Sequence, residues 1–147
     1  MTGGRAMEPE GFYTLKGYGL LEHGLITAAM EDYLEMICRI QRQEEGVVRV
    51  SELAAALHVK PSSASKMAGN LRDRGLIQLP RYGYITLTET GREVGEYLLR
   101  RHELVHRLLC DINGTGEELE QCEKIEHFLS PRTVMNLESY LEQREGD

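Results

Sequence analysis

A short apolar helix, a four-residue turn, a polar helix and a hairpin follow one another between Glu52 and Leu87, and that order leaves few folds open. Ser51 reads as the cap of a helix from Glu52 to Leu57. His58-Val59-Lys60-Pro61 supplies the turn, and proline falls in the first turn of the next helix, where its missing N–H is harmless. That helix runs to about Arg74, and Gly75 ends it. Leu76-Ile77-Gln78-Leu79 and Tyr84-Ile85-Thr86-Leu87 flank Pro80-Arg81-Tyr82-Gly83 with hairpin spacing. Upstream, Thr27 caps a helix to about Gln43 with Tyr33, Leu34, Ile37 and Ile40 as its apolar stripe, and Val47 to Val50 form a short extended entry. Together these segments predict a winged helix-turn-helix.

Charge supports that reading. The net charge is −7, yet between Gly46 and Tyr84 six basic residues face only Glu52 and Asp73. A positive island in an acidic chain is the footprint of a nucleic-acid module, and it argues against a surface serving only protein partners. A recognition helix needs small hydrogen-bonding residues at its leading end so that its backbone sits deep in the major groove. Lys60, Pro61, Ser62, Ser63 and Ser65 suit that end, and Lys66 and Asn70 can reach phosphate or base edges. Arg81 and Tyr82 suit a wing tip against the sugar-phosphate backbone.

The second half reads as helices: Thr88 to about Asp111, a capping box at Thr115-Gly116-Glu117-Glu118 leading to about Leu129, and Pro131 to about Gln143 with Ser130 as cap. Val94, Leu98, Val105 and Leu108 or Leu109 form the stripe of the long helix. Leu119, Ile125, Phe128, Leu129, Val134, Leu137, Tyr140 and Leu141 are more apolar surface than a tail needs, so this half is expected to dimerise. The expected fold is mainly α: an N-terminal extension (residues 1–25), a winged helix-turn-helix with a small β-hairpin wing (26–88), and a C-terminal helical dimerisation domain (89–147). In the extension, Phe12, Tyr13, Tyr18 and Leu20 could dock on the body. No apolar stretch approaches a membrane span, and three widely spaced cysteines suggest reduced thiols in a cytoplasm.

One pattern belongs to neither core nor DNA face. In Glu123-Lys124-Ile125-Glu126-His127, a helix would put Glu123, Glu126 and His127 on one face, a metal half-site wanting further ligands. Asp32 and Glu35 are an i, i+3 carboxylate pair outside their own helix's stripe, and His102 lies at the border of another. Each alone has an innocent reading, as surface charge or as an interfacial histidine.

Four segments in order resemble the diphtheria-toxin-repressor family of metal-dependent regulators, and within it the manganese transport regulator branch: Met30 to Glu35, Pro61 to Met67, Arg101 to Leu104 and Glu123 to Ser130. The resemblance covers roughly residues 26–143. It implies Asp32, Glu35, His102, Glu123, Glu126 and His127 as metal ligands, holding two ions per subunit about 4 Å apart. The iron-responsive branch has methionine where this chain has Asp32 and cysteine where it has Glu123; oxygen in place of sulfur favours Mn²⁺, with Fe²⁺ or another divalent ion as the alternative. Cys122, one position before the ligand, is expected in packing. The implied function is a Mn²⁺-dependent repressor of manganese-uptake genes that binds a palindromic double-stranded operator as a homodimer, with no membrane and no small organic substrate.

Three departures from the family stand out. His106 occupies the position of an acidic accessory ligand, so that site is not carried over. No SH3-like third domain is expected, and the arm before Thr27 is long enough that Met30 is a possible alternative start. Among the rivals, a two-metal hydrolase lacks a separate nucleophile or general base. A metal-independent winged-helix regulator would leave the acidic residues as mere surface.

Overall fold

The computed structural model describes residues 15–43, 48–81 and 83–146. In chain order the elements are α1 (Leu15–Glu22), α2 (Ala28–Gln43), α3 (Val50–Leu57), α4 (Pro61–Asp73), β1 (Ile77–Gln78), β2 (Thr86–Leu87), α5 (Glu89–Asn113), α6 (Leu119–Ile125), a 3-10 turn (Glu126–Phe128) and α7 (Pro131–Gly146). They form two compact units, residues 26–96 and residues 97–147 together with the N-terminal arm. No helix of the described residues is long and apolar enough to cross a membrane.

In the first unit, α2, α3 and α4 pack against one another around Leu34, Ile37, Leu53, Ala64, Ala68 and Leu71, all essentially fully buried. Small alanines on α4 let helices approach closely. The Thr27 hydroxyl accepts the Met30 N–H at 3.1 Å, so the cap of α2 stands where the sequence puts it. The cap of α3 is Arg49 rather than Ser51, and Glu52 accepts the Arg49 N–H at 3.2 Å. His58 turns the chain in the left-handed region at φ 57°, and Gly75 does so at φ 77° after α4. β1 and β2 pair antiparallel with Ile77 opposite Leu87 and Gln78 opposite Thr86, and a bridge joins Val48 to Ile85. Thr88 joins the wing to α5: its hydroxyl donates to the Gly75 carbonyl at 2.6 Å and accepts the Gly91 N–H at 2.9 Å.

In the second unit, Val105, Leu109 and Cys122 form a buried cluster against which Ile125, Leu129 and Leu137 pack. Ser130 caps α7, accepting the Thr133 N–H at 3.2 Å. Three features differ from the sequence expectation. The extension contains a helix, α1, which rests on α7 with Leu20 buried, whereas Phe12 and Tyr13 fall outside the described residues. α6 begins at Leu119, because Thr115 bonds the Glu118 side chain (2.7 Å) instead of capping, while the Glu118 N–H donates to His106 Nε2 (3.0 Å). The α-helix also stops at Ile125 and tightens into a 3-10 turn over Glu126–Phe128, and Leu129 is already extended.

A Cβ on Gly91 would collide with the Leu76 carbonyl oxygen at the root of the wing. Gly91→Ala should therefore destabilise the chain by about 1–3 kcal/mol despite its better helix propensity, read as a lower urea midpoint at unchanged slope.

Candidate metal centre and nucleic-acid interface

α4 turns Ala64, Ala68 and Leu71 inward, at helical spacing. Its other side presents Pro61, Ser62, Ser63, Ser65, Lys66 and Asn70, all exposed, with Lys60 exposed at its start. Arg81 is exposed on the wing, whereas Tyr82 lies outside the described residues. Sequence reasoning missed Arg49 and Tyr84. Arg49 Nη2 donates to the Tyr84 hydroxyl at 3.1 Å, and its guanidinium lies 5.1 Å above the Tyr84 ring. The bridge between Val48 and Ile85 makes Arg49 and Tyr84 the next cross-strand pair, a signal available from register alone. The pair puts a positive charge and an exposed aromatic at the base of the wing.

In the other unit, the centre is a buried carboxylate. Glu126 is 2% exposed; its Oε2 lies 2.6 Å from His102 Nδ1, and its Oε1 accepts from Arg101 Nη2 at 3.4 Å. Arg101 is 1% exposed, and the same nitrogen lies 3.1 Å from His127 Nδ1. Cys122, one turn before Glu126, is fully buried with Sγ 3.4 Å from Glu126 Oε2 and 3.7 Å from His102 Nδ1. Burial alone would push the Glu126 carboxyl up, but the His102 hydrogen bond and charge, together with Arg101, hold it below the ordinary carboxylate value.

The structure thus brings His102 and Glu126 into contact and joins His127 to them through Arg101. Glu123 is exposed, so it does not share the setting of Glu126, which stands one helical turn after the buried Cys122 and on the same covered side. Asp32 and Glu35 belong to the other unit, Asp32 exposed and Glu35 half-buried and accepting from Arg39 at 3.3 Å. One donor atom each from His102, Cys122 and Glu126 lies within 4.8 Å of the others, a nitrogen, a sulfur and an oxygen converging as a divalent ion requires. Cys122 does pack in the core as expected, yet its sulfur also faces the site. Arg101 is the functional residue that sequence reasoning overlooked. Its position, three after Leu98 and four before Val105, lies on the apolar stripe of α5, where a charged residue needs a buried partner.

Because the folded Glu126 carboxyl binds a proton less readily than the unfolded one, the unfolded chain takes up more protons as the solution is acidified. Its contribution to stability is present above the ordinary carboxylate value and lost as pH falls through the lowered folded value. Glu126→Gln should remove that part of the acid sensitivity. It should also cost about 3 kcal/mol at neutral pH by leaving the Arg101 charge poorly compensated, as read by urea denaturation of the metal-free chain across pH.

Comparison with known proteins agrees with this division. Residues 25–84 match the iron dependent repressor N-terminal DNA binding domain, and residues 88–147 match the iron dependent repressor metal binding and dimerisation domain. The HTH-type transcriptional regulator MntR of Geobacillus kaustophilus is 41% identical over 105 residues, covering 71% of this chain and 74% of that protein. MntR of Bacillus subtilis is 35% identical over 124 residues, covering 84% and 87%. Among solved structures, a manganese-dependent transcriptional repressor in complex with manganese aligns with TM-score 0.68 at 30% identity, and the metal-dependent regulator MtsR with 0.69 at 27%. Each alignment covers 77% of this chain, which spans about half the length of those two proteins (52% and 53%). These relatives are transcriptional regulators rather than hydrolases. The chain belongs to the iron-dependent repressor family, the diphtheria-toxin-repressor group of metal-dependent regulators.

Proposed function

We propose that this chain is a manganese-activated transcriptional repressor that binds a palindromic double-stranded DNA operator as a homodimer in the cytoplasm. The observation that carries the reading is the buried Glu126 carboxylate in contact with His102, in the half whose relatives bind metal. The ligands are Asp32, Glu35, His102, Glu123, Glu126 and His127, enough for two ions per subunit. Bound ions supply positive charge that offsets the four carboxylates. Oxygen donors at Asp32 and Glu123 favour the harder Mn²⁺, in keeping with the MntR relatives.

The working division is residues 26–88 for DNA, 89–147 for metal and dimerisation, and 1–25 as an extension. Lys60, Pro61, Ser62, Ser63, Ser65, Lys66, Asn70, Arg81 and Tyr82 face the operator, the serines toward base edges and the cations toward phosphate. Leu119, Phe128 and Tyr140, 42%, 86% and 51% exposed, supply apolar surface for a second copy.

The test is operator binding titrated with Mn²⁺, Fe²⁺, Co²⁺ and Zn²⁺ at fixed salt. Mn²⁺ should tighten binding about 5–150-fold, and DNA should raise Mn²⁺ affinity by the same factor. Asp32→Ala with Glu126→Ala should abolish the response. No tightening by any ion sinks the proposal, and stronger activation by Fe²⁺ moves it to the iron-responsive alternative. Lys66→Ala should weaken all DNA sequences alike and lower the salt slope by about one.

A further inference from the structure

The proposed ligand set leaves out the thiol that the structure places inside it. Cys122 and Glu126 stand one helical turn apart on α6 and the start of its 3-10 extension, and His102 reaches them from α5. Two of the three donors are buried, at 0% and 2% exposure, and the imidazole is half-buried. The donors come from two elements whose separation is fixed by the apolar cluster that Cys122 itself shares with Val105 and Leu109. Nitrogen, sulfur and oxygen within 4.8 Å of one another suit three of the ligands of a four-coordinate borderline ion. A hard ion gains little from thiolate, whereas a thiophilic one gains much.

We propose that Cys122 joins His102 and Glu126 as a third ligand for thiophilic divalent ions of the Zn²⁺, Co²⁺ and Cd²⁺ class, and so sets how strongly such ions compete with the proposed activating metal for this centre. On binding, the sulfur–metal bond replaces the S–H bond and the proton leaves to solvent. Since His102 and Glu126 serve both modes, the two kinds of ion exclude one another at this centre. This rests on the metal-centre reading above, but adds a sulfur donor to it.

The other two thiols offer internal controls. Cys38 belongs to the DNA-reading unit, where burial pushes its thiol up to about 12. Cys110 lies beside His106, with Sγ 3.7 Å from Nε2. Titrating the metal-free 147-residue chain with Co²⁺ and with Cd²⁺ should give ultraviolet sulfur-to-metal charge-transfer absorption that saturates at one equivalent. Cys110→Ser should keep the band. Cys122→Val, which fills the packing space without a donor, and Cys122→Ser should both lose it and bind Cd²⁺ at least about tenfold more weakly. Their Mn²⁺ affinity should stay within about twofold, because the hard ion does not use the sulfur. A wild-type chain without the band, or a band that survives in both Cys122 variants, overturns the proposal. Absorption is read without DNA, so failure of the Mn²⁺ response would count against the repressor reading alone.

Discussion

The buried charge on Glu126 is the constraint around which the second unit is organised. A carboxylate taken out of water is costly unless charges and hydrogen bonds replace its hydration. Arg101 and His102, adjacent on α5, supply them at 3.4 and 2.6 Å. That requires α5 to keep its stripe in register with the covered side of α6, which carries Cys122 and, one turn on, Glu126, while Glu123 stays in water. The last helical turn tightens to 3-10 over Glu126–Phe128, and the chain is extended at Leu129 before Ser130-Pro131 opens α7.

The DNA-reading unit rests on a different constraint, the need for a thin, polar, exposed helix on a fixed base. Ala64 and Ala68 let α4 lie close to its neighbours, while its outward residues are short or basic. The wing is anchored twice, by the Ile85 N–H to the Val48 carbonyl at 2.7 Å and by Arg49 on Tyr84. Thr88 then couples the wing to the start of α5 through its contacts with Gly75 and Gly91. The exposed side chains of α4 are therefore carried by backbone that has little freedom of its own.

Much of this was legible in the sequence because it follows from local rules. Period, caps and turn residues placed α2, α4, the hairpin and α7 within a few residues, and the charge island marked the basic face. What escaped depended on tertiary partners. Ser51 looked like a cap, but Glu52 reached Arg49 instead. Thr115 looked like half of a capping box, but His106 from α5 took the Glu118 N–H. Arg101 was named only within the Arg101 to Leu104 segment, although its place on an apolar stripe was itself a sign of burial. Glu123, Glu126 and His127 were given one face, but which flank of that face is covered depends on α5, and only Glu126 of the three is buried.

Arg101 also changes what metal binding means here. In domains that are unfolded without their ion, ligands repel until the metal arrives, and binding free energy is folding free energy. Here the carboxylate with the greatest burial already has a cation beside it, so the cluster is balanced before any ion is present. On the reading proposed above, an ion held by Glu126 would meet a carboxylate already compensated by Arg101, and its net gain would be the difference between the two partners. The affinity of such a site cannot be read from the number of its carboxylates. It is set by how well the guanidinium already does the work of the ion.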